Sequence, residues 1–115
     1  MTAWVLAVAL AGGVHARKPK APPARLAFDE GVKAYKGVRF ELAAQSFGKA
    51  LELEPDMKIA AGFRAMCRWT NGDLKGARKD ADAAARFKPA DAEQYVARAM
   101  ARYVLRDLPG SKEDY

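Results

Sequence analysis

The sequence predicts an all-α fold of helix-turn-helix repeats, and three observations carry that expectation. Alanine makes up much of an apolar content of 50%. Apolar residues recur at i, i+3, i+4, i+7 spacing, which puts them on one face of a helix. Positions 34 apart match along the chain without a gap. Alanine is the strongest helix former, and β-branched residues, which favour strands, are scarce. With two Trp, five Phe and four Tyr in 115 residues, the core is expected to be thin.

The repeat is read by comparing positions. Pro55 and Pro89, Ala43 and Ala77, Ala50 and Ala84, and Phe40 and Leu74 each lie 34 apart. Tyr35, Trp69 and Tyr103 follow the same step, as do Val32, Met66 and Met100. Each unit opens with a helix carrying an apolar stripe: Phe28, Gly31, Val32, Tyr35, then Gly62, Ala65, Met66, Trp69, then Val96, Ala99, Met100, Tyr103. A turn follows at Gly37-Val38-Arg39, at Asn71-Gly72-Asp73 and at Arg106-Asp107. Asn-Gly-Asp is a strong turn signal. The second helix of each unit is rich in small residues: Ala43, Ala44, Phe47, Ala50, then Ala77, Ala81, Ala84, Ala85. Glu54-Pro55-Asp56 and Lys88-Pro89-Ala90-Asp91 end these helices, because proline cannot continue them. The third unit has a first helix from about Ala92 to Arg106, and little second helix.

This pattern resembles the tetratricopeptide repeat, a helix-turn-helix unit. Gly31, Tyr35, Phe40, Ala43, Phe47, Ala50 and Pro55 carry the resemblance in the first unit. Ala65, Trp69, Gly72, Leu74, Ala77, Ala81, Ala84 and Pro89 carry it in the second. Val38 stands where the family usually has glycine. The resemblance implies a short tetratricopeptide-like α-solenoid over residues 24–115, with repeats at 24–57 and 58–91 and a partial one at 92–115. It also implies binding of a peptide or partner helix, with basic groove residues able to grip a carboxylate. Each unit of such a stack buries its apolar face only against neighbours, so an open third unit leaves surface that either the tail covers as a docked stub or another chain completes.

The N-terminal residues read as an address. Met1 to Ala16 carry no Lys, Arg, Asp or Glu, and Trp4 to Ala11 form an apolar run too short for a membrane span. Small residues then prepare a cleavage site after Ala16, the layout of a signal peptide over 1–16. Residues 17–23, with Pro19, Pro22 and Pro23, form a basic extended linker. The expected location is periplasmic or extracellular, with no membrane span in the mature chain.

Chemistry finds little to use. The only histidine is His15, inside the leader, and the only cysteine is Cys67. A disulfide within the chain and a Cys/His metal site are therefore excluded. There is no glycine-rich phosphate loop and no Ser/His/Asp set, and Asp80 and Asp82, two apart, do not share a helix face. No enzyme, cofactor or metal is expected. Arg64 and Arg98, and Arg68 and Arg102, are 34 apart, so the repeat stacks them as a basic strip on neighbouring helices. Such a strip is either neutralised by nearby acids or held for a ligand, and a solvated basic face is the alternative to a clamp on a partner's carboxylate. Met66, Trp69 and Tyr103 belong either to the core or to the edge of a binding groove. The tentative partner site is thus Arg64, Arg68, Arg98, Arg102, Trp69, Met66 and Tyr103. A net charge of +6 permits nucleic acid, but export argues against it. The expected function is an exported adaptor or scaffold binding a protein or peptide. The alternative is a structural subunit that completes its third repeat in a larger assembly or homodimer.

Overall fold

The computed structural model describes residues 21–108, which form five α-helices and, among the described residues, no strand. The expected leader, its cleavage site and all of the linker before Ala21 lie outside the described residues, as does the tail after Leu108.

Helix α1, Pro23–Lys36, begins with proline at its first position, where the missing N–H would have had no partner. It takes in Pro23, which the sequence placed at the end of the linker. Helix α2, Phe40–Leu53, stops one residue before Glu54-Pro55. Helix α3, Lys58–Thr70, and helix α4, Leu74–Ala84, form a second pair, in which α4 ends at Ala84, short of the Lys88-Pro89 stop expected from the sequence. Asp73 caps α4, its side chain accepting the Gly76 N–H at 3.0 Å. Helix α5, Ala92–Asp107, is capped reciprocally. Asp91 accepts the Gln94 N–H at 2.8 Å, and the Gln94 side chain accepts the Ala90 N–H at 2.7 Å.

The turns from α1 to α2 and from α3 to α4 are closed alike. Arg39 N–H donates to Ala34 O at 2.9 Å and Asp73 N–H to Arg68 O at 2.8 Å, while the residue before each takes a left-handed conformation. That residue is Val38 at φ 62° in the first turn and Gly72 at φ 86° in the second.

Consecutive helices pack on each other, and α3 also packs against α5. Two cores result. The first is aromatic: the Phe28, Phe47 and Phe63 rings meet at centroid distances of 5.2–5.5 Å, with Ala43, Ala50, Cys67 and Ala97 around them. Gly31 lies under the Phe47 ring, where a Cβ would collide with it. The second is a seam of small residues, Ala61, Ala65, Ala77, Ala81 and Ala84, closed by Val104, Leu105 and Leu108. Gly62 lets α3 rest directly on the backbone of Ala97 in α5.

No helix among the described residues is long and apolar enough to cross a membrane, and none of the described His, Cys, Asp and Glu gather as a metal cluster.

Candidate partner-binding face

The four arginines of the expected strip do not form one site. Arg64 and Arg68 turn toward α4, where Asp80 is buried with 4% of its surface exposed. Arg64 grips both Asp80 oxygens, through Nε at 2.7 Å and Nη2 at 2.8 Å. Arg68 reaches the same carboxylate through Nη1 at 3.1 Å and lies 3.6 Å from Asp73. The reason is desolvation. A buried carboxylate needs charge and several donors, and the planar guanidinium fork supplies them. These two arginines therefore serve the α3–α4 pairing. Met66 and Trp69 are partly buried and pack against the alanine seam.

Asp80 was legible in the sequence. It stands three residues after Ala77 and four before Ala84, so it shares their inward face; comparing it only with Asp82 hides this. A buried acid on that face needs cations opposite, and Arg64 and Arg68 supply them.

The other two arginines face different surroundings. A step of 34 from Ala61, Arg64, Ala65 and Arg68, the face of α3 that α4 covers, leads to Tyr95, Arg98, Ala99 and Arg102 on α5. There the face is open. Tyr95 is 53% exposed, Val96 45% and Tyr103 52%. Together with Arg98, Ala99, Arg102 and Arg106 they line a shallow cleft of about 600 Å³. The Arg98 guanidinium sits 5.3 Å over the Tyr95 ring. Arg102 lines the cleft and donates from Nε to Ala85 O at 3.0 Å. Tyr103 stands edge-on to Trp69 at 5.4 Å, so the aromatic floor is continuous with α3. Among the described residues no carboxylate pairs with Arg98, Arg102 or Arg106.

Of the expected site residues, the structure thus brings Arg98, Arg102 and Tyr103 together and sends Arg64 and Arg68 elsewhere. Val96 and Ala99, expected in a core stripe, are exposed because no described helix covers this side of α5. Tyr95 falls outside that stripe, although the repeat step from Ala61 points to it.

Two further clefts offer less. One, between α1 and α2, is lined by Glu30, Lys33, Arg39 and Leu42, and another by Glu41, Lys49, Glu52 and Arg64, so both mix charges of opposite sign. Cys67 is fully buried, and burial pushes its thiol up to about 12, so it is a packing residue and a poor nucleophile. The chain matches no family model, and neither a curated protein nor a solved structure matches it.

Proposed function

We propose that this chain is an exported, tetratricopeptide-like interaction module that receives a helix or peptide of a partner protein and performs no chemistry. The observation that carries the reading is the open face of α5. Two tyrosines and a valine stand half-exposed beside three arginines that have no acid among the described residues, and Tyr95, Arg98 and Arg102 hold the register that α4 covers on α3. Exposed apolar surface of this kind marks interaction sites, and tyrosine and arginine are the residues most enriched where binding energy concentrates. The 34-residue step and the paired helices support the solenoid reading, and the apolar leader ending at Ala16 supports export.

The test is a photo-crosslinking residue placed at Tyr95, with a second at Lys36 on α1 as control, in cells that produce the protein. A discrete crosslinked partner from Tyr95 and none from Lys36 is expected. A crosslinked species of twice the 12.5 kDa chain mass, less the leader, would turn the reading into the homodimer alternative. Absence of any product from Tyr95 would overturn it. N-terminal sequencing of the exported protein is expected to begin at Arg17.

A further inference from the structure

The chain carries its own example of how such a face is covered. On α3, Ala61 and Ala65 receive the small residues of α4, and Arg64 and Arg68 receive its single buried acid, Asp80. On α5 the same register positions hold Tyr95, Ala99, Arg98 and Arg102, with no helix and no acid opposite among the described residues. We propose that the partner segment bound on α5 is an amphipathic helix that presents one Asp or Glu, flanked by Ala or Gly, to Arg98 and Arg102 together. This rests on the interaction-module reading above and specifies its ligand.

Three observations point to that occupant. First, charge: three arginines on one side of α5 lack an acid among the described residues, and like charges at i, i+4 repel, so a carboxylate between Arg98 and Arg102 relieves them. Two guanidinium forks can hold one carboxylate from both sides, as they do at Asp80. Second, shape: Tyr95 replaces Ala61 in the register, so the incoming helix must be small where it crosses that ring. Tyr95 and Tyr103 then supply rigid apolar area at either end of the contact. Third, direction: α3 ends at Thr70 and turns through Gly72, whereas α5 runs helically through Arg106, the position in register with Gly72. Leu108 then packs into the alanine seam with 4% exposure. Up to Leu108 the described chain thus runs toward the α3–α4 seam and places no helix on this face of α5.

The probe is a labelled peptide of residues 72–88 of this chain, held helical by a staple between the exposed Lys75 and Lys79 positions, titrated into the full-length protein. Saturable binding is expected by fluorescence anisotropy. Asp80→Asn in the peptide, or Arg98→Ala with Arg102→Ala in the protein, should each weaken it tenfold or more. Circular dichroism should show unchanged helicity in the variant protein. Arg98→Glu with Arg102→Glu should reject the native peptide and recover affinity for a peptide carrying Asp80→Arg. Equal binding of the Asp and Asn peptides would overturn the proposal. Indifference of the native peptide to the Arg98 and Arg102 variants would also overturn it, since the peptide would then be entering elsewhere. If the peptide fails while the Tyr95 crosslink captures a partner, the interaction reading stands and the acid-bearing helix is wrong. If both fail, both readings fall.

Discussion

Val38 holds φ at 62° with a β-branched side chain that is 70% exposed and gains nothing from packing. The turn needs a left-handed residue there, and Gly72 fills the equivalent place at no steric cost. Val38→Gly should therefore raise stability by about 1 kcal/mol, seen as a higher urea midpoint; an unchanged or lower midpoint would show the turn is not strained. Cys67 makes a prediction about pH. Its folded thiol stays protonated up to about 12, against 9.0 ordinarily, because burial disfavours the thiolate. The unfolded chain releases that proton first. The stabilisation is thus complete below pH 9 and is lost as pH rises toward 12, by roughly 1.4 kcal/mol per unit. Burial raises the Tyr35 hydroxyl in the same sense. Cys67→Ala should flatten the fall in melting temperature between pH 9 and 11; an equally steep fall would place its cause in other groups.

Between elements, the α3–α4 pair depends on small residues and one buried acid. Ala43 and Ala77 have no exposed surface, and each sits where a second helix meets its neighbours. Ala43→Leu and Ala77→Leu should each cost about 1–3 kcal/mol, because extra methylenes force packed helices apart. Unchanged urea midpoints in both would refute the pairing. Asp80→Asn removes the charge that Arg64 and Arg68 share in a site where the acid is 4% exposed. Loss of one partner from a buried pair leaves unmatched charge and costs about 3–5 kcal/mol when fully buried. Here the arginine side chains are 19% and 30% exposed, so a loss of about 2 kcal/mol is expected by chemical denaturation. A loss no larger than that of an exposed residue would mean the cluster is only decoration on the alanine seam.

Across the whole molecule, one ion pair joins the ends of the helix array. Arg25 on α1 holds Glu93 on α5 through two hydrogen bonds, at 2.6 and 2.9 Å, and also reaches Asp29 at 3.0 Å. The Glu93 hydrogen bond is the main reason the Arg25 guanidinium holds its proton more tightly than usual. Both side chains are more than a third exposed or close to it, so solvent screens the pair. Glu93→Gln should cost less than about 1 kcal/mol, and the difference should vanish in high salt. A larger, salt-independent loss would make this contact a structural tie between α1 and α5 rather than a surface pair.

The helices, their order and most of their ends were written in local sequence: the 34-residue step, the alanine content, the prolines and the Asn-Gly turn act over a few residues and need no tertiary knowledge. The burial of Ala43, Phe47, Ala77 and Ala81 follows from the same periodicity. The site did not follow in the same way. Arg64 and Arg98 have the same register and helix type, yet one is neutralised and the other is open. The difference lies in whether a helix bearing an acid stands opposite. Periodicity fixes which face a residue occupies, but only the packing of α4 on α3, and the absence of a described helix on the same side of α5, decides which face is core and which is surface.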